Sequence, residues 1–497
     1  MRLQRVQVPE FRVLKDVDIT FEKDFVPNIF PIGSQNGGGK STLLQLIFIL
    51  LHCSINPERH VFLRNMLNGF TIDKDSINRK IATIEIWTGV KVVKLEFWSY
   101  RDSALKQIIK NIDVDFFIAQ NETSLNFSTF QKNIYIQDKI IKAHQEIKDL
   151  EKILNELEII KTVVNNENRH QLYLELLNKY NMYMKSYIKK TSVISVSVIE
   201  EVQINIQKML NASHSNLESF YEDAEEIEDI LENIVEFLHS QKLMYICNYS
   251  ANKESEKNEA LLCHIENLDM SEANTWLKEL SQKVFLAAPT TQVFLFFSQE
   301  NKKLLFKEQR LSGYFSDYYS LIKAAKNQLT GFFTYDFLAV ELLIEAFKES
   351  RDRDFIEAIE RGNYGNSYKA LMNDLNTILG DKKIKLDADL SGVSFQFDIN
   401  GNKIELYPED LSHGELKRLS IYMWIKYHKI EDAIVLMDEL EIAFHPDWQY
   451  QIISDIYQWS PSNQYIIATH SYELCQALTP AHVKEIEPKL LRQEAKN

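Results

Sequence analysis

Three features of this chain, a glycine-rich segment, an acidic pair and a histidine, consist of residue types that bind phosphate groups and take part in their transfer. Near the N-terminus, a glycine-rich segment with a lysine and two hydroxyl residues runs into an apolar stretch. This segment is Ser34-Gln35-Asn36-Gly37-Gly38-Gly39-Lys40-Ser41-Thr42. Near the C-terminus, the acidic pair Asp438-Glu439 ends the apolar run 434–437, and His470 closely follows the apolar run 466–468. These residue types in this order predict a site for phosphate binding and phosphoryl transfer.

The glycine-rich segment has the features of a phosphate-binding loop. Backbone N–H groups and the N-terminus of the following helix converge on phosphate oxygens, and the glycines let the backbone wrap closely around them. Lys40 is predicted to reach the β- and γ-phosphates, and the Ser41 hydroxyl to bind Mg²⁺. The predicted nucleotide-binding residues of this segment are Asn36, Gly37, Gly38, Gly39, Lys40, Ser41 and Thr42.

The segment departs from the usual phosphate-loop pattern at one position. Lys40 fixes the first position of that pattern as Ser34, where a glycine is expected, and Gly33 lies immediately before it. If Ser34 has a positive φ, its backbone strain would cost about 1 kcal/mol and weaken nucleotide binding.

The acidic pair and the histidine have distinct predicted roles. Asp438 ends a run typical of a central parallel strand, where a carboxylate can hold Mg²⁺. Glu439 can orient or deprotonate the attacking water, and His470 can sense the γ-phosphate. The alternative is that these are ordinary polar residues at strand ends.

The segment 411–415, Leu-Ser-His-Gly-Glu, precedes an apolar helical pattern. Ser412 followed three residues later by Glu415 predicts a helix-capping box. The same geometry presents Ser412, the Gly414 amide and a helix N-terminus to an anion, which need not be bound by the same subunit.

The elements that position these motifs are short strands, hairpins and one buried helix. The predicted elements are strands 3–8, 17–21 and 26–32, helix 41–51, and hairpins formed by 81–87 with 90–100 and by 393–399 with 403–406. Pro27 and Pro31 weaken the third strand, because proline cannot donate to a sheet ladder. Asn400-Gly401 favours a tight turn in the second hairpin.

A long helical region separates the two groups of motifs. Ile140, Ile147 and Leu154 recur every seven residues, and a parallel series is offset by three. With a break at 165–168, this pattern predicts a short antiparallel arm of the coiled-coil type, although an ordinary helical bundle fits equally well. A second amphipathic helix, 217–238, has an acidic outer face from Glu218 to Glu236. A solvated face is the favoured interpretation of these charges, and mimicry of nucleic acid towards a basic partner is the alternative.

Composition limits the classes of protein. The chain is 45% hydrophobic and 26% charged, which indicates a folded protein, and its length of 497 residues indicates two or three domains. The four cysteines are scattered, which indicates reduced thiols. The net charge of −15 argues against indiscriminate nucleic-acid coating, although local basic patches occur at 302–310 and 185–190, the first followed by aromatic residues at 314–319. The absence of a bilayer-length apolar run predicts a cytoplasmic protein without a membrane partner.

Taken together, the motifs resemble the ATP-binding-cassette ATPases. Walker A corresponds to 34–42, the signature to 411–415 with His413 and Glu415 in place of Gly and Gln, Walker B to 434–439, and the switch histidine to His470. Asn36, Glu441 and the pair His445-Pro446 resemble the SMC, RecF and OLD branch. The resemblance implies an α/β head, a mixed sheet with helices plus an antiparallel β subdomain, interrupted by a large, mainly helical insertion.

This resemblance also implies how the chain is divided and assembled. The expected divisions are 1–135 and 391–497 for the two halves of the head, 136–285 for the helical insertion, and 286–390 for a mixed helical lid. ATP and Mg²⁺ are the expected cofactors, with Gln120 as the candidate glutamine-loop ligand of the metal. Two heads are expected to enclose ATP, with Ser412 and Gly414 of one head completing the site of the other. A higher oligomer is compatible with the same arrangement.

The chain further resembles the stand-alone ATPases of antiphage systems, the PtuA-like proteins of Septu and the ATPase of PARIS. The segment after His470 is too short for the nuclease domain that OLD-type proteins often carry, so a separately encoded nuclease or toxin is expected as the effector. The leading hypothesis is therefore a slow, dimerisation-dependent ATPase acting as sensor or regulator in defence. A DNA-repair ATPase of the RecF or SMC type and a transport ATPase subunit are the alternatives.

Overall fold

The computed structural model describes residues 1–34, 37–105, 108, 126–184, 194–250, 258–297, 324, 326–335, 339–399 and 402–486. The chain divides into two compact units, one formed by Met1–Arg101 with Lys242–Asn497 and the other by Asp102–Gln241. We call the first the head unit and the second the inserted unit. This division differs from the expected boundaries at 135 and 285, because the segment after Lys242 supplies strands to the sheets of the head unit.

The described strands and helices follow one another in a mixed α/β order. In chain order, the strands are β1 (Arg2–Phe11), β2 (Leu14–Thr20), β3 (Ile29–Gly33), β4 (Asn78–Trp87), β5 (Val92–Arg101), β6 (Leu243–Ser250), β7 (Asn258–Glu266), β8 (Val284–Ala288), β9 (Phe332–Thr334), β10 (Lys382–Leu386), β11 (Val393–Ile399), β12 (Asn402–Leu406), β13 (Ile434–Asp438), β14 (Gln464–Ala468) and β15 (Lys484–Glu485). The helices are α1 (Lys40–Cys53), α2 (His60–Leu67), α3 (Ser128–Thr162), α4 (Asn166–Lys179), α5 (Asn181–Met184), α6 (Val196–Ser240), α7 (Met270–Gln282), α8 (Ala339–Arg361), α9 (Ser367–Leu379), α10 (His413–Tyr427), α11 (Pro446–Trp459) and α12 (Tyr472–Gln476).

A parallel sheet with the order β15-β3-β14-β13-β8-β9 forms the centre of the head unit. Every residue of β13 and β14 is buried, as expected for parallel strands covered on both faces. Strand β3 begins after Pro27 but includes Pro31, which pairs with Ile467 of β14. Because β15 pairs only with Ile32 and Gly33, Pro31 has a strand partner on one side, the situation that proline tolerates.

Two antiparallel sheets complete the strands of the head unit. One has the order β2-β1-β4-β5-β7-β6, and its β4–β5 hairpin confirms the hairpin predicted from the sequence. The other has the order β10-β11-β12, and its β11–β12 pair confirms the second predicted hairpin, whose turn residues 400–401 lie outside the described residues. The mixed head with an antiparallel subdomain therefore agrees with the predicted fold class.

Helix α1 joins the phosphate loop to the core. Almost all its residues after Thr42 are buried, and they share one apolar cluster with residues of both the parallel and the large antiparallel sheet. This explains why its sequence is apolar on every face rather than amphipathic.

The inserted unit is built on two long antiparallel helices, α3 and α6. Their direction follows from three contacts: Lys161 with Glu200, Glu158 with Gln203, and His144 with Tyr221. Of the predicted heptad residues, Ile140 and Ile147 are buried and Leu154 is half-buried, and the acidic residues of α6 from Glu218 onwards are largely exposed. The break between α3 and α4 covers residues 163–165, so it begins before the predicted 165–168, and the Asn165 side chain caps α4.

No helix among the described residues is long and apolar enough to cross a membrane. The basic patches predicted at 185–190 and 302–310, and the aromatic residues at 314–319, lie outside the described residues.

Candidate nucleotide-binding site

Three neighbouring strands of the parallel sheet bring the predicted site residues together. The phosphate loop follows β3, Asp438 ends β13, and His470 lies two residues beyond the end of β14. These strands are adjacent in the order β3-β14-β13, and the carboxyl ends of parallel strands meet at one edge. This edge is where ligands bind in open α/β sheets.

Lys40 occupies the middle of this edge. Its Nζ donates to the carbonyl oxygen of Ser34 at 3.0 Å and to the Ser34 hydroxyl at 3.1 Å, and it lies 3.4 Å from Nδ1 of His470. Burial lowers the pKa of Lys40, and the nearby carboxylates, Asp438 foremost, oppose that shift. The ammonium group is therefore held inside the site by polar partners that a phosphate group can replace.

The glycines of the loop are required by its backbone and by its packing. Gly37 has φ 80° and Gly39 has φ 90°, in the left-handed region that favours glycine. A Cβ on Gly39 would stand 2.6 Å from Cδ2 of Leu14, at the turn between β1 and β2. The strain considered for Ser34 is absent, since Ser34 is not among the residues with positive φ, and its two oxygen atoms instead accept from Lys40.

Asp438 is the most deeply buried acid of the site. Its side chain accepts hydrogen bonds from Ser41, the predicted Mg²⁺ ligand, and from Gln292. The pKa of Asp438 is raised to about 6, mainly by burial and also by the charges of Glu439 and Glu441, against the lowering effect of the hydrogen bonds from Ser41 and Gln292. A divalent cation would stabilise the ionised form of this carboxylate, so the donor set fits Mg²⁺.

Gln292 is a site residue that the sequence analysis missed. It lies in the 3₁₀ helix Thr290–Phe296 just after β8, and its side-chain oxygen accepts from Nε2 of Gln45 on α1. The predicted glutamine, Gln120, lies outside the described residues. The available signal was the buried apolar run that forms β8, because a polar side chain soon after a parallel strand lies at the same edge of the sheet.

Glu439 begins a tightly held turn. Its φ is 51°, which is strained for a residue with a side chain, and its backbone N–H donates to the carbonyl of Ala468 at 3.0 Å. Lys417 of α10 donates to the carbonyl oxygens of Glu439 and Ile442, each at 3.1 Å. The helix that follows the signature motif is thereby tied to the turn that carries the predicted base.

Glu441 joins this turn to the segment of the switch histidine. One of its carboxylate oxygens accepts from the backbone N–H of His470 at 2.7 Å, and the other is buried without a partner among the described atoms. Beside it, the Ser471 hydroxyl donates to Gln449 at 2.6 Å, and Gln449 donates to the carbonyl of Phe444 at 2.9 Å. In the sequence, Glu441 only supports the family resemblance. In the structure, it accepts a hydrogen bond from His470.

The signature segment forms the predicted capping box at the start of α10. The Ser412 hydroxyl accepts from the backbone of Glu415 at 3.2 Å, and Glu415 accepts from the backbone N–H of Ser412 at 2.9 Å. Lys382 pairs with Glu415, which fixes the acid in place. Gly414 packs so closely that a Cβ would lie 2.8 Å from the carbonyl oxygen of Ala443, so its small size serves packing whether or not an anion binds.

Residues 1–475 match the AAA ATPase domain family. A curated relative, the retron Vc95 probable ATPase of Vibrio cholerae serotype O1 biovar El Tor, is 22% identical over 203 residues, which are 35% of this chain and 38% of that protein. The match therefore spans well under two thirds of the relative's length.

Two similar solved structures are Smc head domains. One, with an extended coiled coil and bound to the C-terminal domain of ScpA, derives from Pyrococcus furiosus; it is 12% identical, with 96% of this chain and 91% of that chain covered and a TM-score of 0.29. The other, with a coiled coil and joint, derives from Pyrococcus yayanosii; it is 11% identical, with 96% and 93% covered and a TM-score of 0.30. The family match over residues 1–475 confirms the assignment made from the motifs: the chain belongs to the AAA ATPase domain family.

Proposed function

We propose that the head unit binds ATP together with Mg²⁺ and hydrolyses the γ-phosphate. The observation that supports this most is the convergence of Lys40, Asp438 and His470 at the carboxyl ends of three adjacent parallel strands, with Lys40 and His470 3.4 Å apart. Family membership supports ATPase activity in general, and this convergence supports the assignment of roles to individual residues.

Each residue has a role that follows from its position. Lys40 and the amides of the phosphate loop bind the β- and γ-phosphates, and Ser41 with Asp438 holds Mg²⁺, which neutralises phosphate charge when bound. Gln292 orients Asp438 through its hydrogen bond. Glu439 accepts a proton from the attacking water, while His470 donates to the γ-phosphate from its held position beside Lys40.

The signature residues act on a second copy of the chain. The Gly414 amide and the N-terminus of α10 present a donor and a positive helix dipole to an anion. The Ser412 hydroxyl, which donates to Glu415 at 2.9 Å, would turn its hydrogen to that anion. We assign that anion to the nucleotide of the partner head, so that two ATP molecules are enclosed between two heads. On this account hydrolysis depends on dimerisation and is slow.

At the cellular level, the chain is proposed to be a cytoplasmic sensor or regulator in antiphage defence, working with a separately encoded nuclease or toxin. The support is the name of the relative, a retron ATPase, together with the motif resemblance to defence ATPases. ATP binding and hydrolysis would set the dimer state of the heads, and the inserted unit would contact the trigger or the effector.

Co-purification from native cells tests this reading. The Glu439→Gln protein should retain ATP and its partners, and the matched Lys40→Ala protein should not. A stoichiometric nuclease or toxin, retained only by Glu439→Gln with ATP, would support the defence role. DNA alone, released by high salt, would favour the alternative of a DNA-repair ATPase.

A further inference from the structure

A cavity lies on the head unit, at the edge of the parallel sheet opposite the phosphate loop. Its volume is about 320 Å³, within the range of small-molecule sites. The lining includes Arg59, Gln282, Phe285, Thr330, Trp424 and His428. It is placed at the start of β8, the end of α1 and the end of α10, whereas the proposed ATP site lies at the other ends of these elements.

Arg59 provides a positive charge in this cavity that the described contacts do not neutralise. Its Nη1 lies 3.0 Å from Nε2 of His52, and its Nη2 donates to the Thr330 hydroxyl at 3.2 Å. Its Nε is buried and has no hydrogen-bond partner among the described atoms. Because the hydrogen-bond partners of Nη1 and Nη2 are neutral, an anionic ligand in the cavity would supply the opposite charge that the guanidinium lacks.

His52 holds Arg59 in this position as a neutral ring. The ring stacks on Phe48 with centroids 4.7 Å apart, and its Nδ1 lies 2.7 Å from the carbonyl oxygen of Ser281. Since a carbonyl only accepts, Nδ1 carries the proton, and Nε2 is left to accept from Arg59. The orientation of the guanidinium is therefore determined by a buried and fully paired imidazole.

The rest of the lining indicates what kind of anion would fit. Phe285 is half-buried and contributes aromatic surface, with the 3% exposed Trp424 packed against it, while Asn56, Gln282 and Ser281 contribute polar groups. A small molecule that combines one anionic group with a flat apolar part would meet both kinds of surface. We propose that this cavity is a second ligand site, which binds a small aromatic or similarly flat anion through Arg59.

The elements around the cavity connect it to the proposed ATP site. Helix α1 runs from Lys40 to the cavity residue His52, and α10 runs from the signature segment to Trp424 and His428. Strand β8 begins beside the cavity and leads to Gln292, the partner of Asp438. A ligand here would therefore regulate ATP turnover; this regulatory half of the proposal rests on the proposed ATPase function, whereas ligand binding does not.

Phenyl phosphate is a suitable probe, because it carries a dianionic group on a flat ring. Its binding to the full-length protein would be titrated by ligand-observed NMR without nucleotide, with inorganic phosphate and benzyl alcohol as probes that each carry one half of its chemistry. We expect saturable binding of phenyl phosphate that exceeds that of both. We expect Arg59→Gln to weaken it by about tenfold or more, and Arg59→Lys by less.

Two variants separate this cavity from other anion sites. Arg64→Gln removes the same charge from the neighbouring helix α2, outside the cavity lining, and should bind the probe as the unchanged protein does. Lys40→Ala removes any probe bound at the phosphate loop, and the part of the binding that depends on Arg59 should remain in this variant. Thr330→Val should weaken binding even if Arg59→Gln fails to fold, since it removes the hydroxyl that holds Nη2.

Several outcomes would overturn the proposal. Absence of saturable binding, equal binding by folded Arg59→Gln, or loss of binding in Lys40→Ala would each exclude this site. Where the unchanged protein hydrolyses ATP, saturating probe should change the rate about fivefold or more, and Arg59→Gln should abolish that response. Binding without any change in rate would overturn the regulatory half alone, and failure to hydrolyse ATP would count against the proposed function while leaving the binding result intact.

Discussion

Lys40 and His470 lie 430 positions apart in the sequence, yet Nζ of one is 3.4 Å from Nδ1 of the other. Once a phosphate oxygen replaces the imidazole as an acceptor for Lys40, the ammonium group and an N–H of His470 can both donate to it. The ammonium group is already desolvated, and its present partners, two Ser34 oxygens and an imidazole, are neutral. Nucleotide binding therefore exchanges weaker acceptors for charged ones.

Lys40→Ala tests that exchange. We expect ATP affinity to fall by about a hundredfold, because a buried charge-assisted contact to phosphate is lost. Isothermal titration calorimetry measures it, with Lys91→Ala, an exposed lysine in the β4–β5 turn, as the charge-matched control. Equal affinities in the three proteins would contradict the assignment of the phosphate loop.

Glu439→Gln separates binding from chemistry. The amide keeps the size of the side chain but cannot take a proton from water, so hydrolysis should slow by about 10²–10⁴-fold while ATP affinity is kept. Phosphate release at saturating ATP measures the rate, with the exposed Glu431→Gln as control. A normal rate in Glu439→Gln would show that another group acts as the base.

Glu441 is a positioning residue in this account, and two substitutions distinguish its functions. Glu441→Gln keeps an oxygen that accepts from the His470 N–H, so kcat should change by no more than a few-fold. Glu441→Ala leaves that N–H unpaired and should lower kcat by about tenfold with little change in KM. Equal effects of the two substitutions would mean that the charge of Glu441, rather than its hydrogen bond, matters.

Among the elements, helix α1 links the nucleotide site to the core and to the far edge of the sheet. Its last turn carries His52, whose pKa burial lowers to about 4, with the charge of Arg59 adding to the effect. The unfolded chain then binds more protons than the folded one between about pH 6.5 and pH 4. Folding stability due to His52 is therefore complete above that window and is lost as the pH falls through it.

The His52→Gln variant should flatten this dependence. From pH 7 to pH 5, the free energy of unfolding should fall by about 2 kcal/mol more in the unchanged protein than in the variant. Urea denaturation at both pH values measures the difference, and His214→Gln, an exposed histidine on α6, serves as control. An identical pH dependence in His52→Gln and the unchanged protein would show that His52 is not held neutral.

The elements that sequence reasoning predicted well are those with local signals. The apolar run of α1, the alternation in β4 and β5, and the heptads of α3 each follow from periodicity within a few turns or strands. Strand β3 was harder to predict, because Pro31 is acceptable only where β15 is too short to pair beside it, which is a property of the assembled sheet.

For the candidate site as well, the residues within local motifs could be predicted, and those defined by distant partners could not. Lys40, Ser41, Asp438 and His470 lie in motifs that are recognisable locally, whereas Gln292 and Glu441 acquire their roles only through partners distant in sequence. The apolar run of β8 places the polar residues after it at this edge of the sheet, but it does not single out a glutamine whose partners, Gln45 and Asp438, are distant in sequence.

At the scale of the whole molecule, the contacts of the signature segment are the reason to expect that two heads act together. Lys417 ties α10 to the turn of Glu439, and Gly414 packs against Ala443 in the same turn. Contacts of this kind can transmit the arrival of a partner's nucleotide at the start of α10 to the residue proposed as the base. They are the structural reason to expect that hydrolysis requires two heads.

Sedimentation velocity of Glu439→Gln, with and without ATP and Mg²⁺, tests the shared site most directly. We predict a monomer without nucleotide and a dimer with it, and we predict that adding Ser412→Arg to the same protein abolishes the dimer while ATP affinity is kept. A dimer that forms equally without ATP, a monomer under all conditions, or a dimer indifferent to Ser412→Arg would contradict the account.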